Sequence, residues 1–466
     1  MTATYLQTLA TARTTLTLGQ MAAMCIFGLS SLLGAVFLQD FAALCLFGVQ
    51  ISFLALAAWR LSLVALRPPV LATEPLLHSW NEEWPRYTIV AALYQEAEIL
   101  PHLVERLAAI DYPAERLQGF LALETDDHAT ITAASQLHLP EWLTVLVVPA
   151  GAPKTKPRAL NHALSLATGD FLTIYDAEDD PDPLQLKEAA ARFRIESERL
   201  ACVQAPLRIR SRRKASPHPL LDRQFAAEYA ALFEITLPVM ARLGLPFPLG
   251  GTSNHFRVSV LKALGGWDAW NVTEDADLGF RIWRSGYRLG VISRPTYETP
   301  PGPLRLWLPQ RTRWLKGYLQ TLAVHTRSRG GMGWRGWIAL ILTIGAGLGS
   351  AAVHAGCMAW VAVISLMAVM DGRLPSLSIM GWTVLIVGLA AAWIIQLRGS
   401  RIAGTPYGPI DMLVSLPYWS LLSLAFVHAA VRLALEPHHW DKTPHQVDVE
   451  PIAAPDLYSD AGRAAA

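Results

Sequence analysis

Two uncharged, apolar blocks enclose a long polar stretch, and this division restricts the chain to a membrane-embedded fold. Residues Thr14 to Gln39 carry no charge, and Phe41 to Trp59 form a second uncharged run. Each is long enough to cross a bilayer core about 30 Å thick. Because 52% of the 466 residues are hydrophobic and 17% are charged, part of the chain must lie in lipid. We predict a transmembrane hairpin over residues 1–66 rather than a cleaved signal peptide, since the second run follows at once.

The C-terminal block, residues 333–436, is also apolar. Trp337 to Met370 has no charge and, at about 1.5 Å per residue, is too long for one straight crossing. It is therefore expected to form two tight spans or an in-plane piece plus a span. Leu374 to Leu397 and Met412 to Val431 follow, so the block is predicted to contain three or four spans.

Basic residues next to the apolar runs predict the orientation. Arg60 and Arg67 follow the second run and place the polar stretch after it on the cytoplasmic side. Arg398 to Arg401 indicates a cytosolic loop, and the tail at 437–466 is expected to be cytosolic as well. The loop and the tail cannot both be cytosolic if every apolar run crosses the membrane once.

Charge and cysteine content exclude other classes. A formal net charge of +1 produces no global field, so we expect no nucleic-acid partner. None of the four cysteines has a CxxC spacing suited to zinc or redox chemistry: they are Cys25, Cys45, Cys202 and Cys357. The apolar runs contain almost no ionisable residues, which argues against a transporter.

The polar stretch, residues 67–332, alternates short β-rich runs with helical patterns. The predicted strands are Tyr87–Leu93, Leu117–Leu123, Leu143–Val148 and Phe171–Tyr175, and the helical stretches include Glu98–Ile110 and Arg158–Leu166. This rhythm predicts an α/β fold, with a mostly parallel sheet covered by helices on both faces. Ligands of such sheets bind beyond the carboxyl ends of the strands.

Acidic residues follow three of these strands. They lie in Tyr94-Gln95-Glu96, Glu124 to Asp127 and Asp176 to Asp180. Solvated turns would look the same, but three clusters at one rim favour a site. Carboxylates can bind a diphosphate only through a metal, and hard oxygen ligands select Mg²⁺ or Mn²⁺. Asp176 and Glu178 are the expected ligands, with Asp179 as an alternative.

Three further segments fit the same chemistry. Lys154 to Asn161 could contact a diphosphate, or could be an exposed basic turn at a helix start. Thr273-Glu274-Asp275 could provide a carboxylate that deprotonates an attacking hydroxyl, or could only cap a helix. Gln310 to Trp314 lies in Leu304 to Val324, which mixes Leu and Trp with Arg and Lys like a helix in the membrane interface.

Together these motifs resemble the membrane-bound family 2 glycosyltransferases with a GT-A fold, the group that contains cellulose, hyaluronan and other exopolysaccharide synthases. The resemblance covers about Tyr87 to His325. It implies roles for the following residues: Asp176 and Glu178 in metal and diphosphate binding, Asp275 as the base with Glu274 beside it, Gln310, Arg313 and Trp314 in nucleotide and acceptor binding, Tyr94, Glu96, Glu124 and Asp126 near the nucleoside, and Lys156 at a phosphate. The second acidic position of the DxD-type motif is Glu178, with Asp179 beside it. The sequence therefore leaves open which of these two carboxylates faces the metal.

The resemblance also implies an activity. We expect an inverting enzyme that moves a hexose or N-acetylhexosamine from a UDP-sugar to a growing β-linked exopolysaccharide. The alternative is a glycolipid synthase that adds one sugar to ceramide or diacylglycerol. Expected partners are the UDP-sugar, a glycan or lipid acceptor, membrane lipids and other secretion-system subunits, with the catalytic domain on the cytoplasmic face of a bacterial inner membrane. Pro437 to Thr443 would be a loop that covers the site, or a plain tail.

Overall fold

The polar segment contains ten strands among its described residues. The computed structural model describes residues 11–68, 83–210, 218–328, 330–373 and 377–440. Its strands are β1 (Tyr87–Leu93), β2 (Leu117–Glu124), β3 (Leu143–Val148), β4 (Phe171–Tyr175), β5 (Asp180–Pro181), β6 (Leu200–Gln204), β7 (Leu207–Ile209), β8 (Asn254–Arg257), β9 (Arg288–Val291) and β10 (Thr296–Glu298). The four strands predicted from the sequence are confirmed to within one residue.

Seven strands form the main sheet, in the order β3-β2-β1-β4-β8-β6-β9. The first four are parallel, with Val90 opposite Phe120 on one side and Ile174 on the other. β8 runs antiparallel to both β4 and β6, so the sheet is mixed beyond β4. A small second sheet has the order β5-β10-β7. Because β1, β2 and β4 are parallel, their carboxyl ends meet at one edge.

Helices cover both faces of the sheet, as predicted. Along β1, Ile89 and Ala91 pack in one apolar cluster and Val90 in another, which follows from the two-residue period of a strand. The helices of this region are α3 (Leu100–Ala108), α4 (His128–Gln136), α5 (Lys156–Leu166), α6 (Gln185–Ile195), α7 (Pro219–Ala230), α8 (Leu237–Arg242), α9 (Val258–Ala263), α10 (Glu274–Arg284) and α11 (Leu304–Thr326). A π-helical segment, Ala231–Thr236, joins α7 to α8.

Five helices of the described residues are long and apolar enough to cross a membrane. They are α1 (Leu18–Phe37), α2 (Phe41–Leu66), α12 (Gly333–Met370), α13 (Ile379–Ala403) and α14 (Pro409–Leu435). The predicted N-terminal pair is therefore present as α1 and α2. Residues 374–376 of the predicted run from Leu374 lie outside the described residues.

The long apolar run after Trp337 differs from the two tight spans expected as one arrangement. α12 is one helix that continues through a π-helical segment, Ile341–Gly345, so it does not divide into two spans. Its first turns pack on the polar domain, where Ala339 and Leu340 are buried and the Trp283 indole donates to the Met332 carbonyl at 2.9 Å. No proline or charge interrupts residues 337–370, so the helix has no local reason to end.

Candidate active site

A cavity of about 670 Å³ opens where the carboxyl ends of β1, β2 and β4 face α10 and α11. It brings together most of the residues singled out from the sequence. Those that line it are Tyr94, Glu96, Glu124, Lys156, Asp176, Glu178, Glu274, Asp275, Gln310, Arg313 and Trp314. Asp126 and Asp179 are outside this lining. Tyr94 and Trp314, which are 220 residues apart in the chain, therefore line the same cavity.

The rim beside β1 and β2 combines cations and carboxylates. Lys154 lies over the Tyr94 ring, with Nζ 3.8 Å from the centroid, and pairs with the exposed Asp126. Deeper in the cavity, Glu124 pairs with Arg158. Burial raises the pKa of Glu124, and Arg158 opposes that shift. Asp126 is thus a rim residue that holds Lys154, and Glu124 is the carboxylate that faces the cavity.

The carboxylates of the turn after β4 point in different directions. Asp179 is fully buried, accepts from the Asp176 backbone N–H at 2.7 Å and accepts from the Thr252 hydroxyl. Burial, followed by repulsion from Asp176 and Glu178, raises the pKa of Asp179 well above its usual value. Asp179 therefore closes the turn from behind, whereas Asp176 and Glu178 line the cavity.

Lys156, the first residue of α5, supplies the nearest cation. Its ammonium pairs with Asp176 and donates to the Gly251 carbonyl at 2.8 Å. Burial lowers the pKa of Lys156, but Asp176 and Glu274 outweigh burial and raise it to about 12. The side chain therefore stays charged at neutral pH, next to the carboxylates of the β4 turn.

Glu298 is a cavity residue that sequence reasoning missed. It ends the short strand β10 and lines the cavity. Burial, then the charges of Asp179, Glu178 and Asp176, raise its pKa well above the usual value for a glutamate. The only local signal was a short β-rich run that ends in a carboxylate just before the Leu304 segment, and only the second sheet brings this run to the site.

The Thr273-Glu274-Asp275 segment opens α10 and presents its carboxylates to the cavity. Thr273 makes no side-chain cap bond, and Asp275 Oδ1 accepts from the Ala276 N–H at 2.8 Å. Burial, then the charge of Asp275, raises the pKa of Glu274 to about 8. Burial also raises the pKa of Asp275, and the Ala276 N–H, Lys156 and Arg313 oppose that shift. At neutral pH Glu274 is therefore mainly protonated.

α11 packs tightly against this segment. The Gln320 side chain accepts from the Val272 N–H at 3.0 Å, and the Arg313 guanidinium donates to the Val272 carbonyl at 3.3 Å. A Cβ at Gly317 would collide with the Thr273 side chain, so glycine permits the close approach. Arg313 and Trp314 are thereby held at a defined position relative to Asp275.

Residues after α14 form the last wall. His438, His439 and Trp440 line the cavity. Lys316 donates to the His439 carbonyl at 2.8 Å, and the Arg313 guanidinium lies 4.6 Å from the centroid of the Trp440 ring. Asp441 to Thr443 lie outside the described residues. The described part of the predicted covering segment therefore contacts the site.

The donor set of the cavity suits a hard divalent cation. Asp176, Glu178 and Glu298 contribute carboxylate oxygens, and burial, followed by the charges of Asp179, Glu178 and Asp176, raises the pKa of Glu298. No group of three or more His, Cys, Asp or Glu at metal-binding spacing occurs in the described part of the chain. Mg²⁺ is usually bound by one or two carboxylates together with phosphate oxygens and water. The carboxylates of Asp176 and Glu178 therefore suit such an ion, with its other ligands supplied by the substrate and by water.

Comparison with known proteins identifies the family. Residues 85–317 match the family described as Glycosyltransferase like family 2. The chain is 24% identical to the probable glycosyltransferase YdaM of Bacillus subtilis over 51% of this chain and 57% of that protein. It is 27% identical to the beta-monoglucosyldiacylglycerol synthase of Synechocystis over 56% of this chain and 54% of that protein. It is 25% identical to the poly-beta-1,6-N-acetyl-D-glucosamine synthase of Staphylococcus aureus over 49% of this chain and 54% of that protein.

The chain thus spans about half the length of these relatives. Among solved structures, the mannosyltransferase PcManGT of Pyrobaculum calidifontis aligns with a TM-score of 0.47 and 17% identity, over 82% of this chain and 98% of that one. The family match covers the whole mixed sheet through β10 and the part of α11 that carries Gln310 to Trp314. The chain belongs to glycosyltransferase family 2, as a membrane protein whose catalytic domain has the GT-A fold.

Proposed function

We propose that this glycosyltransferase moves a hexose or N-acetylhexosamine from a UDP-sugar to the growing end of a β-linked exopolysaccharide, with inversion at the anomeric carbon. The observation that carries the proposal is that Asp176, Asp275 and Trp314 line one cavity. Such a transfer needs a donor site, a base and an aromatic platform for the acceptor close together in one cavity. The proposed place of action is the cytoplasmic face of a bacterial inner membrane.

The donor half of the cavity would bind the UDP-sugar. Tyr94, Glu96 and Glu124 line the part beside β1 and β2, where the nucleoside fits. Lys156 and the carboxylates of Asp176 and Glu178 face the diphosphate position. Asp176 and Glu178 would hold a Mg²⁺ or Mn²⁺ ion, whose charge would stabilise the diphosphate as a leaving group. Lys156 adds a fixed positive charge, which stays in place because its pKa is about 12.

The acceptor half would activate the attacking hydroxyl. Asp275 takes the hydroxyl proton while the oxygen bonds to the anomeric carbon, the bond from that carbon to the diphosphate breaks, and UDP leaves on the opposite face. Gly251 lies against this carboxylate, since a Cβ there would be 3.5 Å from Asp275 Oδ2. A single attack from the face opposite the leaving group inverts the anomeric configuration.

A second cavity of about 510 Å³ supports a polymeric product. It shares its wall with the first cavity at Tyr229, Leu232, Pro248, Trp314 and Tyr318. From there it extends between α2, α12 and α13 as far as Leu46 and Leu377, which lie near the first residues of α2 and α13. Polar side chains within it, including Gln50, Arg60 and His354, could bind sugar hydroxyls. Such a passage would let an elongating chain leave the acceptor site.

A glycolipid synthase is the second candidate. The wall of the second cavity also has many aliphatic side chains, such as Leu56, Leu63 and Leu389, which would hold acyl chains as well. One relative is named a beta-monoglucosyldiacylglycerol synthase. For this candidate the acceptor hydroxyl would belong to ceramide or diacylglycerol, and each acceptor would receive a single sugar.

Product size separates the two candidates. Purified protein in vesicles, with and without diacylglycerol or ceramide, would be incubated with a panel of UDP-sugars, and UDP release and product mass would be measured. A ladder of products separated by one sugar mass supports the polymer. A lipid that carries one sugar supports the glycolipid. Absence of UDP release with every donor, from protein that remains folded, would overturn both.

Substitution of Trp314 tests the acceptor platform. Trp314 lies between the two cavities, with its ring 4.5 Å from the Arg311 guanidinium. Trp314→Ala should lower transfer to the acceptor about tenfold more than it lowers donor hydrolysis, because stacking contributes about 0.5–1.5 kcal/mol and the ring also shapes the wall. Trp314→Phe should recover most of the transfer. Trp334, which is 74% exposed and outside both cavities, provides a matched Trp→Ala control; equal losses of transfer and hydrolysis in Trp314→Ala would contradict the assignment.

Substitution of Glu274 tests the shared proton. Because the pKa of Glu274 is about 8, the residue is protonated at pH 7, and Glu274→Gln should keep transfer within a few-fold of wild type there. In the wild type, Glu274 ionises near pH 8 and adds a second negative charge beside Asp275. The kcat/KM of the wild type should therefore vary with pH in this alkaline range, whereas the kcat/KM of the variant should not. The acid limb, where protonation of Asp275 removes the base, should persist in both. Loss of transfer at all pH values in Glu274→Gln would show instead that the carboxylate itself is required.

A further inference from the structure

α14 is long and apolar enough to cross a membrane, but both of its ends bind the catalytic domain. At its start, the buried Asp411 carboxylate pairs with Arg223, and the Asp411 carbonyl accepts from the Gln224 amide at 2.6 Å. Two turns later, the Tyr418 hydroxyl donates to Glu228 at 2.7 Å. Arg223, Gln224 and Glu228 all belong to α7 of the catalytic domain.

The other end of α14 returns to the same domain. The His428 ring lies 3.1 Å from the Thr312 hydroxyl. Just past the helix, Lys316 donates to the Glu436 carbonyl at 3.1 Å, and the Gln320 amide donates to the Pro437 carbonyl at 2.9 Å.

These contacts fix the course of α14. Along α11 the partners advance from Arg311 through Thr312 and Lys316 to Gln320, while along α14 they advance from Tyr418 to Pro437. α14 therefore runs beside α11 and in the same direction, and α11 is the helix that carries Gln310, Arg313 and Trp314. A helix bound in this way along its length does not leave the domain.

Each of the other four apolar helices is bound to the domain at one of its ends. The Gln20 amide at the start of α1 donates to the Ala323 carbonyl at 2.7 Å, and Arg67 at the end of α2 donates to the Glu234 carbonyl at 2.8 Å. The first turns of α12 pack on Trp283, and Gly399 near the end of α13 lies against the Ala230 backbone. The turns between α1 and α2 and between α12 and α13 are thus at the far ends of these helices.

The two faces of α14 have opposite character. The face toward the domain buries the polar side chains of Asp411 and Tyr418, which pair with Arg223 and Glu228 of α7. The other face exposes a stripe of large apolar side chains: Ile410, Leu413, Leu424, Val427, Val431 and Leu435. Their spacing of three and four residues, apart from the interval after Leu413, places them on one side of the helix. Such a helix is suited to lie in a membrane interface, with its apolar side in the acyl chains of one leaflet.

We propose that the apolar stripe of α14 binds the leaflet on the side of the catalytic domain, and that the described part of the chain crosses the bilayer four times, with α1, α2, α12 and α13. A crossing by α14 would have to break the buried contacts of Asp411 or those of Lys316. With four crossings, the basic stretch Arg398 to Arg401 and the segment Pro437 to Trp440 lie on the same side as the active site. The conflict between these two segments, which arises when every apolar run crosses, is thereby removed.

Single cysteines in a full-length protein without Cys25, Cys45, Cys202 and Cys357 would test the proposal. Asp40→Cys and Asp371→Cys report the far turns, Arg401→Cys reports the end of α13, and Glu436→Cys reports the end of α14; all four native residues are exposed. In sealed membrane vesicles, a membrane-impermeant maleimide should label the positions in two groups. Glu436→Cys should react together with Arg401→Cys, from the side opposite to Asp40→Cys and Asp371→Cys.

Reaction of Glu436→Cys from the same side as Asp371→Cys would overturn the proposal, since it would require α14 to cross. The Arg401→Cys and Asp371→Cys variants act as internal standards for the two sides, and detergent permeabilisation should make all four positions equally reactive. The result depends on sidedness and not on turnover. It therefore stands or falls separately from the sugar-transfer proposal.

Discussion

Asp275→Asn is expected to lower kcat for sugar transfer by about 10²- to 10⁴-fold, the usual contribution of a general base. The asparagine preserves the size of the side chain and can still accept from the Ala276 N–H, but it cannot take the proton of an acceptor hydroxyl. UDP binding should remain close to wild type, because the proposed nucleotide contacts belong to other segments of the cavity. Transfer would be followed by UDP release with acceptor present, and UDP affinity by calorimetry.

Asp371→Asn is the matched control for this substitution. Asp371 is exposed in the turn after α12, far from the cavity, so its variant should transfer sugar at the wild-type rate. Near-normal turnover of Asp275→Asn would refute its role as the base. A parallel loss of UDP affinity would instead indicate that the substitution disturbs the whole cavity.

The second large effect is expected at the donor site. Asp176→Asn removes the partner of Lys156 and one proposed metal ligand. Truncation of one member of a hydrogen-bonded charge pair costs about 2–5 kcal/mol, and we expect a loss of about 10²- to 10³-fold in kcat/KM for the UDP-sugar. Chelation of divalent cations should cause a comparable loss in wild type and little further loss in the variant, because both changes remove the same support of the diphosphate.

Asp180→Asn provides the comparison for Asp176→Asn. Asp180 follows in the same turn but pairs with Arg210 and does not line the cavity, so its variant should retain donor use. UDP binding in the presence and absence of Mn²⁺, measured for all three proteins, would complete the test. An Asp176→Asn enzyme that still responds fully to chelation would show that the cation is held by other residues.

Local patterns were sufficient for much of the fold. The runs Tyr87–Leu93 and Phe171–Tyr175 are rich in β-branched and aromatic residues, and both form the strands expected of them. Strand and helix periodicities are properties of neighbouring residues, so they can be read without knowledge of distant contacts. The same holds for the motifs around Asp176, Asp275 and Gln310, which consist of neighbouring residues in the chain.

The direction in which an individual carboxylate points was not readable in this way. Asp176, Glu178 and Asp179 are near neighbours with similar chemistry, yet Thr252 and a backbone N–H hold Asp179 behind the turn. Glu298 reaches the cavity only because β10 pairs with β5 and β7. Thr252 is 73 residues from Asp179, and the strands that pair with β10 are also distant in the chain, so no local pattern contains that information.

The amino-acid sequence by itself determined the membrane blocks, the GT-A strands and the acidic, Arg- and Trp-bearing motifs, because hydrophobicity, strand propensity and residue spacing are local. Only the tertiary structure decided that α12 is unbroken, that His438 to Trp440 line the cavity and that α14 lies along α11. Apolar length shows that a helix can enter lipid, but whether it crosses depends on where both of its ends are bound.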